Sequence, residues 1–153
     1  MHWGRYLFSL YGRTSRAGYW LFILIALCVS IAGIMIDHVA GTYSAIESGP
    51  FEIIASLLTI PSSIAITVKR FHDREMSGYW IIGFALLTIG AIASLAFVPG
   101  EPFEFGEGMP PAFVFVGVLG AVVIQIIQLV ILGFLPGTRG PNKYGPDPLA
   151  DKE

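Results

Sequence analysis

Across four long stretches of this 153-residue chain, residues 19–36, 53–68, 79–98 and 112–135, there is no Asp, Glu, Lys, Arg or His. Charged side chains at membrane depth are costly and persist where an ion or proton path needs them. Four charge-free stretches therefore argue against an ion-coupled transporter acting as a single chain. Cysteine is nearly absent as well. The one thiol, Cys28, forms no intrachain disulfide, so no redox compartment is encoded. A nucleophile elbow, a metal-ligand cluster and a phosphate loop are all missing. No catalytic residue, cofactor or metal is assigned, and nothing points to nucleic acid. With no linker, repeat or low-complexity tail, residues 1–153 read as one domain.

Basic residues are missing from a second kind of place. All nine Lys and Arg fall in three short polar segments: Arg5, Arg13 and Arg16; Lys69, Arg70 and Arg74; and Arg139, Lys143 and Lys152. The gaps at residues 37–51 and 99–111 hold none. Cytoplasmic loops of helical membrane proteins collect Lys and Arg. The segregation predicts an all-α integral membrane protein with four transmembrane helices and both termini in the cytoplasm.

What is present agrees with that reading. Hydrophobic residues make up 54% of the chain and charged residues 13%. As helices, the four stretches span about 24 to 36 Å, against a hydrocarbon core of about 30 Å. The shortest, 53–68, borrows Phe51 at one end and the snorkelling stem of Lys69 at the other. The inner segments carry nine basic and five acidic residues, a balance of +4, and the outer loops six acids (Asp37, Glu47, Glu52, Glu101, Glu104, Glu107), a balance of −6. The inner face should attract anions. Residues 19–36 exceed the usual apolar run of a cleaved signal peptide, about 7–15 residues, so they read as a span.

Local patterns refine the picture. Trp3, Tyr6, Leu7 and Leu10 lie at helical spacing and suit a short interfacial helix or an aromatic anchor, with Gly12 ending it. Thr14 or Ser15 is placed to cap the first span. Pro61, beside Thr59, Ser62, Ser63 and Thr67, predicts a kink near residues 57–61, with hydroxyls replacing the lost backbone bond. Gly90 with Ser94, and Gly117 with Ala121, form small-xxx-small pairs that let helices approach. Gln125 and Gln128, three apart on one face, are the strongly polar side chains at membrane depth. A bond to another helix is their ordinary use, and lining a polar path the alternative.

Three polar motifs remain. Gly12-Arg13-Thr14-Ser15-Arg16 leads to Tyr19-Trp20. Lys69-Arg70-Phe71-His72-Asp73 leads to Ser77-Gly78-Tyr79-Trp80. The third runs Pro136-Gly137-Thr138-Arg139-Gly140-Pro141-Asn142-Lys143-Tyr144-Gly145-Pro146-Asp147-Pro148. In these ordered motifs the chain resembles the bacterial inner-membrane family called domain of unknown function 805. That family is marked by GR-x-SR…YW, RR-x-HD…SGWW and PG-x-x-G-x-NRYG-x-DP. The resemblance spans about residues 12–148. Lys69, Tyr79 and Lys143 depart from the pattern while keeping charge or aromatic character. It implies a bacterial inner-membrane address and leaves the activity open.

As a helix end, residues 69–76 would pair Lys69 with Asp73 at i, i+4 and Arg70 with Asp73 at i, i+3. Ser77 would then cap the following helix. His72 beside Asp73 invites an acid–base reading, although neighbours on a helix point about 100° apart. The glycines and prolines of the third motif make it a series of turns able to aim N–H groups at an anion. The candidate anion or partner cluster is Arg13, Arg16, Lys69, Arg70, His72, Asp73, Arg139, Asn142 and Tyr144, with Asp73 as central acceptor. Three functions compete. The first is a binding or assembly module for an anionic lipid headgroup, a membrane-protein partner or a second copy. The second is a membrane-surface enzyme acting on a phosphorylated lipid-linked substrate. The third is an oligomeric channel or transporter built around Pro61, Gln125 and Gln128.

Overall fold

The computed structural model describes residues 3–42, 48–93 and 112–150, and the regular elements among them are all helices. They are α1 (Trp3–Phe8), α2 (Arg16–Ala40), α3 (Pro50–Asp73), α4 (Trp80–Ala93) and α5 (Ala112–Leu129), with a π-helical turn at Val130–Phe134. Three helical runs are long and apolar enough to cross a membrane: α2, α3 and Val116–Phe134. α4 is apolar but shorter at 14 residues. The third stretch was expected over 79–98. Its last residues, including Ser94, lie outside the described residues, as do Glu47, Glu101, Glu104, Glu107 and Lys152.

The chain divides into two compact units, residues 1–78 with 136–153, and residues 79–135. In the first, α2 and α3 pack antiparallel. At one end the Thr14 amide donates to the Lys69 carbonyl at 3.3 Å, and at the other the Glu52 amide donates to Asp37. Ser15 caps α2 by accepting from the Gly18 amide at 3.2 Å. The helix therefore starts three residues before the apolar stretch and continues past it to Ala40, where Gly41 closes it. Along much of both helices the large apolar side chains face outward, Leu24 and Leu57 among them. That arrangement suits hydrocarbon and not water. α3 runs unbroken through Pro61, and the hydroxyls of Thr59, Ser62 and Ser63 donate to the carbonyls of Ala55, Leu58 and Thr59.

Burial concentrates in the last turns of α3, where Ala65, Ile66, Val68, Lys69, Arg70, Phe71 and Asp73 are all enclosed. The helix ends in a Schellman-type turn. The Met76 amide reaches the Phe71 carbonyl and the Glu75 amide the His72 carbonyl. Glu75 occupies the left-handed position with φ 60°, where glycine is usual. α4 then begins at Trp80, three residues beyond Ser77.

Asp37 departs most from the sequence reading. It is no loop acid but part of α2, and it is fully buried. Its carboxylate accepts from the Thr42 hydroxyl at 2.7 Å and from the Phe51 and Glu52 amides at 3.3 and 2.8 Å. Gly49 precedes α3 without a side-chain cap of its own. Asp37 supplies that cap from the neighbouring helix, meeting orphan amides with a full negative charge at the positive end of the dipole. A Cβ on Gly49 would overlap the Asp37 carboxylate.

In the second unit α4 packs on α5. The close approach joins Gly120 to Ala91, 3.9 Å from the position a glycine Cβ would take, while Gly90 has nothing within 4 Å. Gln125 Nε2 donates to Thr88 Oγ1 at 2.9 Å, the ordinary helix-to-helix use of an intramembrane amide.

Candidate functional site

The α2–α3 pairing brings the opening motif beside the end of α3, and the third motif folds across both. Asp73, the last residue of α3, is the acceptor they share. Arg13 Nε and Nη2 lie 3.0 and 2.9 Å from one carboxylate oxygen, and Arg70 Nη1 donates to the other. The Arg13 and Arg70 side chains are 1% and 0% exposed, and that of Asp73 is 5% exposed. The Asp73 carbonyl takes the Thr138 amide at 2.8 Å and the Thr138 hydroxyl at 3.0 Å. Arg13 also donates to the carbonyls of Gly140 and Thr138, each at 2.6 Å. Its fork is spent inside the protein, on one carboxylate and three backbone oxygens, the third being the Gly145 carbonyl at 3.5 Å.

The exit turns are held just as closely. Asn142 Nδ2 donates to the His72 carbonyl and to Thr138 Oγ1, both at 3.0 Å, while its Oδ1 accepts the Tyr144 amide at 2.9 Å. The Tyr144 ring stacks on His72 with centroids 3.8 Å apart and planes 4° from parallel. His72 Nδ1 is 3.3 Å from the Gly12 carbonyl. A carbonyl only accepts, so Nδ1 carries the proton. His72 and Asp73 thus turn to different partners, as their helical offset requires. Lys69 does not pair with Asp73. Its ammonium donates to the Tyr6 carbonyl and lies 4.9 Å from the Tyr6 ring centroid. Arg70 already fills the near side of Asp73, and burial steers Lys69 to the next carbonyl within reach.

Beside this knot lies a cleft of about 270 Å³, lined by Arg16, Arg139, Thr138 and Asp147 among others, with Arg70 and Asp73 at its back. Arg16 and Arg139 are exposed. Asp147 pins the wall, taking the Leu149 amide at 2.9 Å and the Gly140 amide at 2.7 Å. Those two N–H groups hold its carboxyl below the usual carboxylate range against the opposing effect of burial, with a smaller contribution from the Arg13 guanidinium. The nominated residues therefore separate. Arg13, Lys69, Arg70, His72, Asp73, Asn142 and Tyr144 hold the segments together, whereas Arg16 and Arg139 border an opening. Gln125 and Gln128 belong to the other unit. Among the described residues no group of three His, Cys, Asp or Glu is placed to hold a metal ion.

Tyr6 and Thr138 were not nominated from sequence as members of the cluster, and Gly137 was read only as one of the glycines of an anion-holding turn. Tyr6 was read as part of a short interfacial helix or as an aromatic anchor; it lies in α1, and its hydroxyl pairs with Thr14 Oγ1 at 2.7 Å. Thr138 joins Asp73, Arg13 and Asn142. Gly137 is the point of closest approach, since a Cβ there would overlap the Asp73 carboxylate. A Pro-Gly-Thr placed directly after an apolar run is the signal that could have found the last two.

Outward-facing apolar helices of spanning length, closed at one end by a buried polar knot, define a helical membrane protein. The chain belongs to the family described as "Protein of unknown function (DUF805)", which matches residues 7–146. It is 29% identical to "Uncharacterized protein YiiR" of Escherichia coli (strain K12), over 94% of this chain and 88% of that protein. It is 28% identical to "Inner membrane protein YhaH" of the same strain, over 90% of this chain and 84% of the relative. "Inner membrane protein YhaI" is also 28% identical, over 90% and 83%. No solved structure matches.

Proposed function

We propose that this is a bacterial inner-membrane protein with four spanning helices and both termini in the cytoplasm, acting as a binding module for an anionic group at the inner membrane face. The relatives named as inner membrane proteins support the address, and the confinement of all nine Lys and Arg to three segments supports the orientation. One observation supports the binding reading: the exposed Arg16 and Arg139 line a cleft of about 270 Å³ that also meets the Arg70–Asp73 ion pair. Cations at an opening, backed by a rigid hydrogen-bonded floor, make a preorganised anion site. The enzyme reading has less support because His72 and Asp73 face apart. The channel reading loses Gln125 to Thr88.

Native mass spectrometry of the full chain, released from several mild detergents, should show a retained anionic adduct. Bare protein from every detergent would count decisively against the binding reading. Reporter fusions should place Gly49 and Gly106 outside, and Gly78 and Glu153 inside. A cytoplasmic Gly106 would remove the four-span topology.

A further inference from the structure

We infer that residues 8–11, the turn between α1 and the opening motif, are seated in the bilayer surface, with Phe8, Leu10 and Tyr11 reaching into lipid. This goes beyond the anion-site reading and does not depend on it. The three side chains are 56%, 50% and 88% exposed. Apolar side chains left open together in this way mark a partner surface or a membrane. The sequence pattern placed Tyr6, Leu7 and Leu10 on one stripe of a helix. In the structure α1 ends at Phe8 and packs on α3, and Tyr6 and Leu7 are half-buried. α1 is therefore a strap on the protein, and the outward-facing element is the turn that follows it.

Both ends of this turn are fixed. On one side the Lys69 ammonium donates to the Tyr6 carbonyl, and the Tyr6 hydroxyl pairs with Thr14 Oγ1 at 2.7 Å. That hydroxyl lies 2.9 Å from where a Cβ on Gly18 would stand, so Tyr6 abuts the first turn of α2. On the other side Gly12, with φ 99°, turns the chain toward Arg13, and its carbonyl lies 3.3 Å from His72 Nδ1. Between them the Ser9 hydroxyl accepts the Tyr11 amide at 3.1 Å. A turn held this firmly loses little freedom when its side chains are covered.

Position decides the occupant. Tyr6 meets the start of α2, Lys69 and His72 belong to the end of α3, and both helices are long and apolar enough to cross a membrane. Residues 8–11 therefore stand at headgroup level. Aromatic side chains gather there, and a tyrosine can keep its ring in lipid and its hydroxyl in water. A protein partner would have to displace headgroups to reach the same patch. Backbone chemistry sets the depth. Residues 9–12 are not helical, and irregular backbone exposed to lipid is not found within the hydrocarbon. The main chain stays among the headgroups, and the side chains reach about 5–10 Å toward the acyl boundary, as those of interfacial helices do.

The test uses the full chain carrying Cys28→Ser, in nanodiscs that hold one chain each. A nitroxide is attached at Phe8→Cys, Leu10→Cys or Tyr11→Cys in turn, with Leu57→Cys, exposed on α3, as the deep reference. Power saturation reads the accessibility of each label to oxygen, which collects in lipid, and to a nickel chelate, which stays in water. All three sites should favour oxygen over the chelate, and all three should lie shallower than Leu57. A label that favours the chelate at any of the three sites would overturn the inference. Accessibility to neither reagent would overturn it as well, because protein and not lipid would then cover the patch. Neither result touches the anion-site reading, whose test reads a retained adduct.

Discussion

Replacing Asp73 with alanine should destabilise the protein by about 3–5 kcal/mol, the usual loss when one partner of a buried ion pair is deleted. The figure depends on enclosure. An exposed pair contributes about 0–1 kcal/mol because water takes over the charges. Here the cations are 1% and 0% exposed, and water has no access to either. Asp73→Ala leaves two guanidiniums stranded at once. Arg13 keeps the carbonyls of Gly140 and Thr138. A loss of this size is a large part of the 5–15 kcal/mol that holds a typical domain together. Unfolding by SDS titration in dodecylmaltoside, followed by tryptophan fluorescence, measures it. Adding Arg70→Met removes one stranded cation, and the double variant should recover about 1–3 kcal/mol relative to additivity. A single-variant loss below about 1 kcal/mol, or strict additivity in the double variant, would show that Asp73 is not the centre of the knot.

Four further outcomes follow from the same structure. Gly137→Ala forces a methyl group against the Asp73 carboxylate and should cost about 1–3 kcal/mol in the same titration, with no gain possible from helix propensity. Glu75→Gly relieves a left-handed backbone at φ 60° and should raise stability by about 1 kcal/mol; no change would mean the turn is strain-free. Asp37→Ala removes the cap of α3 and should lower the melting temperature, while Asp37→Asn, which keeps an acceptor, should recover most of the loss. Asp147 has a folded pKa below its unfolded value, so its contribution is complete above about pH 4 and fades as pH falls through the folded pKa. Hydrogen exchange at residues 136–150 should therefore accelerate in acid, and Asp147→Asn should remove that acid dependence.

Helical class and the positions of α2 and α3 were legible because hydrophobicity and charge are segregated along the chain. The meeting of Asp73 with an arginine from another motif was also legible, since Arg13, Asp73 and Thr138 lie in segments that an antiparallel fold returns to one end. Individual partners were less so. The i, i+4 rule offered Lys69 to Asp73 as readily as i, i+3 offered Arg70, and nothing local says that Tyr6 waits above Lys69. Asp37 was misread for a different reason. Composition places an acid at the edge of an apolar run in a loop, whereas its role depends on α3 starting with Gly49-Pro50 and lacking a cap of its own. Such a debt is visible only once two helices are paired. Glu75 carried no signal at all, because glycine would be expected at its position and stands instead at Gly78.

Seen together, the three motifs divide one electrostatic task. The central segment brings the carboxylate and one guanidinium, and the opening segment brings the second guanidinium. The exit segment brings carbonyl oxygens from Thr138 and Gly140, which take the Arg13 donors that Asp73 leaves over. None of the three is stable near hydrocarbon without the others, because each would expose unpaired polar groups to a medium that cannot solvate them. That mutual need explains why Gly137 must come within contact of Asp73 and why Thr138 follows it immediately, using both its amide and its hydroxyl on the Asp73 carbonyl.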